Sequence, residues 1–167
     1  MKKLLVSVMV LGVLAIVARQ GEAEVIASRT RTNPTFINGG GGINVPLNNA
    51  GSTLMPFVTT QDNQRVVITY SAECGVRAAC QTTNMSVIIR VDGLNASPTS
   101  LDSAMCTSNN NAVAATNNSL VGAVMRAVVV VEDAGLHTVG VFADLTSECV
   151  GAVLQGNFDD STITVEK

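Results

Sequence analysis

Hydrophobic and polar residues alternate with period two along most of this chain, a rhythm that predicts strands rather than helices. The clearest stretch is 121–145, VGAVMRAVVVVEDAGLHTVGVFADL. There Val121, Ala123, Met125, Ala127, Val129 and Val131 share one face, and beyond a Glu-Asp-Ala-Gly turn Val139, Val141 and Ala143 share another. The β-branched run Val128–Val131 disfavours a helix and suits a pleated sheet. The stretch reads as the central hairpin of an all-β core. Its opposite face leaves Val124, Val128, Val130 and Phe142 in need of a cover.

The other segments fit the same pattern. Glu24–Thr32 reads as an edge strand with Arg29 and Arg31 outward, interrupted at Asn33-Pro34 because proline lacks a donor and restrains its predecessor. Gly39–Gly42 reads as a flexible turn before a short strand, Ile43–Leu47; a phosphate cradle would need a following Lys and a helix. Ser52–Thr60 is a strand whose Pro56 marks an edge or a bulge. Arg65–Cys74 puts Val66, Ile68, Tyr70 and Ala72 on one face, and Asn84–Val91 does the same with Val87, Ile89 and Val91. Asp92-Gly93 is a tight-turn signal. Gly75–Thr83 and Thr107–Ser119 read as loops. Asp159-Asp160 turns the chain into a closing strand, Ser161–Glu166, with Ile163 and Val165 inward. Short strands at regular spacing predict a two-sheet antiparallel sandwich, jelly-roll-like, with eight or nine strands.

The N-terminus departs from this rhythm. Two lysines precede an apolar run, Leu4–Val17, and Gly21-Glu22-Ala23 supplies small residues for cleavage. That is the layout of a signal helix over residues 1–23, leaving 24–167 as a single domain. The run is shorter than the ~20 residues that span a bilayer, so no stable membrane insertion is expected after cleavage. The expected location is exported: periplasmic, cell-surface or extracellular. The remaining chain has seven basic and twelve acidic residues, net −5. Without a Lys/Arg cluster it carries no footprint for nucleic acid.

Cys74, Cys80, Cys106 and Cys149 all follow the leader. An even count in an exported chain argues for two disulfides, with three pairings open. The absence of a Cys-x-x-Cys pair and the single histidine speak against zinc, and no cofactor is expected.

Several segments resemble uncharacterised secreted bacterial β-sandwich domains of jelly-roll-like form. They are Val67–Cys74 (VITYSAEC), Ile89–Gly93 (IRVDG) with Pro98 soon after, Met105–Asn109 (MCTSN), Asp133–Val139 (DAGLHTV) and Asp159–Val165 (DDSTITV), spread over about the last 100 residues. The resemblance implies a fold, an exported location, a Cys74–Cys106 pairing and a second pairing of Cys80 with Cys149. It brings no catalytic residues.

Candidate chemistry is sparse. A hydrolytic triad needs a base held against a nucleophile and an orienting acid, and only His137 could be that base. No Gly-x-Ser-x-Gly elbow occurs. An acidic pair drawn from Glu73, Asp144, Glu148, Asp159 and Asp160 could run glycoside hydrolysis, yet the chain has one Tyr, four Phe and no Trp to hold a sugar. Asp159 and Asp160 are weak calcium candidates. The expectation is an exported protein that is not an enzyme: a binding or structural module with its function in loops 75–83 and 107–119, taking a glycan or protein ligand. The alternatives are a small secreted hydrolase using His137 or an acidic pair, and a self-assembling surface subunit or homo-oligomer joined through Val124, Val128, Val130 and Phe142.

Overall fold

The structure, a computed structural model, describes residues 23–39, 41–78, 82–97, 104–109, 120–147 and 154–167. Residues 1–22 of the expected signal segment, Cys80, Cys149, Glu148 and most of the 107–119 stretch lie outside the described residues.

The described residues form strands and no helix. In chain order these are β1 (Val25–Arg31), β2 (Thr35–Asn38), β3 (Gly41–Asn44), β4 (Leu54–Thr59), β5 (Gln64–Ala78), β6 (Thr82–Val91), β7 (Leu94–Asn95), β8 (Ala104–Asn109), β9 (Val121–Val131), β10 (Gly135–Ser147) and β11 (Leu154–Glu166). One sheet runs β1-β11-β5-β9, with β2 also on β11; the other runs β3-β10-β6-β7, with β4 also on β10 and β8 also on β6. All pairings are antiparallel. Three pairs of segments (β1 with β2, β3 with β4, β7 with β8) each share one side of a longer strand. The eleven segments therefore fill eight strand positions, four per sheet, in the jelly-roll arrangement.

The sequence places the right residues inside. Val66, Ile68 and Tyr70 on β5, Val87 and Ile89 on β6, Val139, Val141 and Ala143 on β10, and Ile163 and Val165 on β11 are all buried. Tyr70 meets Phe158 edge-on at 5.9 Å between ring centroids. With few aromatics, the core is filled mainly by β-branched and other aliphatic side chains.

Pairing is where the structure departs from the pattern. The 121–145 stretch is not a hairpin. Among the described strands β9 pairs with β5, at the edge of its sheet, with one isolated bridge from Val128 to Ser97, while β10 lies at the centre of the other sheet against β3, β4 and β6. The 132–134 turn carries the chain from sheet to sheet. Periodicity records which face is buried but not which neighbour supplies the hydrogen bonds, so a crossover and a hairpin look alike.

Other corrections have similar causes. Arg29 and Arg31 pair with Ile163 and Ser161 on the inward face of β11, so they point between the sheets. Arg29 donates to the Leu54 carbonyl at 3.0 Å, and Arg31 donates to the Asn48 and Pro34 carbonyls and to Thr35 Oγ1. A guanidinium can turn inward at an open edge where carbonyl and hydroxyl oxygens accept its N–H groups. Asp159-Asp160 is a bulge within one continuous β11, not a turn. It falls opposite the Asn33-Pro34 break between β1 and β2. Residues 75–78 extend β5, 82–83 begin β6, and 107–109 belong to β8, a polar strand whose partners in the ladder include Thr83 and Asn84. Gly41 and Gly42 are in β3, where a Cβ on Gly42 would collide with the Phe142 ring.

Cys74 on β5 and Cys106 on β8 form a disulfide with a Cα separation of 6.3 Å. Because β5 and β8 belong to different sheets, the bond staples the sandwich across its core.

Candidate functional site

Three turns meet at one end of the sandwich: 60–63 between β4 and β5, 92–93 between β6 and β7, and 132–134 between β9 and β10. The Asp92-Gly93 turn has positive φ at both residues, 49° and 82°. That is the type I′ geometry suited to a two-residue hairpin, and Val91 pairs with Leu94 across it.

His137, on the first turn-proximal stretch of β10, ties these turns together. Its Nδ1 lies 2.8 Å from Asp92 Oδ2, and its Nε2 lies 3.0 Å from the Asp133 carbonyl and 3.1 Å from Thr59 Oγ1. The other Asp92 oxygen accepts from the Thr138 amide at 2.7 Å and the Thr138 hydroxyl at 3.1 Å. Thr59 Oγ1 accepts from the Gly135 amide and donates to the Asp133 carbonyl, each at 3.1 Å. Asp62 Oδ1 accepts from the Ala134 amide, and Phe57 packs against the imidazole. One histidine thus links β4, the 92–93 turn, the 132–134 turn and β10.

The electrostatics follow from these partners. The Asp92 hydrogen bond raises the His137 pKa against the opposing effect of burial, helped by the Asp133 carbonyl. Burial pushes Asp92 upward, but the bonds from His137 and Thr138 outweigh it and hold the carboxyl below its ordinary value. Both imidazole nitrogens face acceptors, which is the environment of a doubly protonated ring donating on each side.

An expected acid beside His137 is therefore present, and Asp92, His137 and Thr59 stand in the order of a catalytic triad. The hydroxyl decides what this row can do. Thr59 is 2% exposed, held by Gly135 and Asp133, and absent from the walls of the neighbouring cleft. A nucleophile needs substrate against it.

That cleft has a volume of about 380 Å³ and opens between the two sheets. Val91, Leu94 and Ala96 line it from one sheet and Val129, Val130 and Val131 from the other; Asp92, Asn95, Glu132, Asp133 and His137 supply its polar wall. Beside the cleft, the Ala96 amide donates to the Ile89 carbonyl at 2.8 Å and the Val128 amide to the Ser97 carbonyl at 3.1 Å, which ties the 96–97 segment to both sheets.

The remaining candidates are scattered. Glu73 stands across the ladder from Asp159 on the outer face of its sheet, whereas Asp144 is on the other sheet. The Asp160 amide donates to Asp159 Oδ1, closing the bulge locally. Among the described residues no group of three His, Cys, Asp or Glu is placed to hold a metal ion. Val124, Val128 and Val130 are exposed along β9. Phe142 is on the other sheet and has its own cover: the Arg90 guanidinium sits 4.1 Å over its ring, and β3 packs beside it at Gly42. Sequence reasoning missed the cleft because Val91–Ala96 and Val129–Asp133 are separated by more than thirty residues. Only the Asp-Gly turn signal and the lone histidine pointed to this end.

Fold and site together define a jelly-roll β-sandwich with a clamped, cleft-bearing end. No protein-family model matches the chain, and no curated protein matches it significantly. Among the described residues no helix is long and apolar enough to cross a membrane. The disulfide is the chemistry of an oxidising compartment.

Proposed function

We propose that this protein is an exported, non-catalytic β-sandwich that works as a binding module, with the cleft end as its recognition surface. The observation that carries this reading is the 380 Å³ cleft between the sheets, apolar on its walls, polar at its rim, and set on hydrogen-bonded strand ends. Ligand sites are commonly concave, largely apolar and pre-formed, with a few placed polar groups. Export is supported by the leader-like N-terminus and the disulfide. The test is an amide-resolved NMR screen of a small-molecule and glycan library. Shifts should gather on Val91–Ala96 and Val129–Asp133; a screen whose hits all fall elsewhere overturns the placement.

A second reading is a hydrolase built on Asp92, His137 and Thr59, favoured by their triad-like order. Turnover of an ester, peptide or glycoside panel that disappears in both His137→Gln and Thr59→Val would establish it. The buried hydroxyl is the reason it ranks second. Self-association through the exposed valines of β9 is a third use of the fold, read by light scattering as a mass above the monomer.

A further inference from the structure

We propose that the cleft selects an organic cation: a small ligand with an ammonium head and an apolar body. This rests on the reading of the cleft end as the binding surface and names the chemistry it would take. Among the described residues, the charged groups lining the cleft are Asp92, Glu132, Asp133 and His137, and no Lys or Arg lines it. His137 is committed to Asp92 at 2.8 Å. Among the described residues Glu132 and Asp133 have no ion-pair partner; Asp133 shares the field of His137 with Asp92, so three carboxylates face one imidazole and the rim is net negative. An anionic ligand would meet repulsion from them.

The walls narrow the choice further. Val91, Leu94, Ala96, Val129 and Val131 are aliphatic, which suits a hydrocarbon body. Among the described residues no Phe, Tyr or Trp lines the cleft to stack on a sugar face. A bare metal ion is disfavoured because no three acidic, His or Cys side chains among the described residues converge on one point. The 96–97 segment beside the cleft is already held to both sheets by the Ala96 and Val128 backbone hydrogen bonds, so ordering it costs a ligand little.

The experiment titrates the full-length protein with three probes of matched shape, 2-phenylethylammonium, 2-phenylethanol and phenylacetate, following amide shifts. The ammonium should shift Leu94, Ala96, Val129, Glu132 and Asp133 and bind about tenfold tighter than the alcohol, the gain from two partly exposed ion pairs. Phenylacetate should shift nothing. The double variant Glu132→Gln, Asp133→Asn should bring the ammonium to the affinity of the alcohol and leave the alcohol unchanged. If no probe shifts the cleft, the binding-end reading itself fails. If the alcohol or the acid binds as well as the ammonium, or the double variant keeps the preference, only the cation selection is overturned.

Discussion

His137 is a side chain whose titration reports on the turn end. Its folded pKa is raised, so its stabilisation is complete below the ordinary histidine value of about 6.5 and is lost as pH rises through the folded value. Asp92, lowered, contributes above the ordinary carboxylate range, and that contribution is lost as pH falls through its own folded value. The clamp is thus strongest between the two ranges. On losing its proton the ring keeps Nδ1–H on Asp92, while Nε2 accepts from the Thr59 hydroxyl and gives up the Asp133 carbonyl. The thermal midpoint should fall as pH is raised through the His137 titration seen by NMR. Asp92→Asn should bring that titration down toward its ordinary value, flatten the pH dependence and cost about 1 kcal/mol. Tyr70 poses a different problem at the same scale. Burial pushes its pKa up to about 12, and its hydroxyl lacks a well-formed hydrogen bond, although Ser161 is close enough to temper the shift. Tyr70→Phe should therefore be neutral or stabilising by up to about 1 kcal/mol in denaturant unfolding, whereas Tyr70→Ala should cost about 3–5 kcal/mol through the cavity it leaves.

Among the elements, β10 is a central strand, paired with β6 on one side and with both β3 and β4 on the other. Phe142 lies on its outer face between Arg90 and the bare backbone of Gly42. That close approach is why glycine stands in a strand at this point. Gly42→Ala should force the ring out from under Arg90 and cost about 1–3 kcal/mol. The accompanying sign is a changed Phe142 ring environment in NMR, with Gly122→Ala, which meets nothing within 4 Å, as the control. β4 shows the complementary rule. Pro56 is tolerated there because β4 is an edge strand, paired with β10 alone.

For the whole molecule, the Cys74–Cys106 bond joins the two sheets and closes a loop with a sequence separation of 32. Loop-closure entropy puts its contribution at about 3–4 kcal/mol. Replacing both cysteines with alanine should lower the unfolding free energy by that amount and leave the cleft resonances in place. The resemblance to secreted β-sandwich domains implies a second disulfide, between Cys80 and Cys149; with both bonds present, intact mass before and after reduction should differ by four hydrogens.

Sequence alone determined what periodicity and turn chemistry can encode. The buried faces of β5, β6, β10 and β11, the Asp92-Gly93 turn and the all-β class are local facts, written in residues two or three apart. The tertiary structure decided everything that depends on which strand lies beside which. It separated β9 from β10 into different sheets, turned Arg29 and Arg31 inward, covered Phe142 with Arg90, and brought Thr59, Asp92, Asp133 and His137 to one point. Alternation fixes orientation relative to a core, but hydrogen-bond partners are chosen by long-range packing, and the cleft exists only once both sheets are in place.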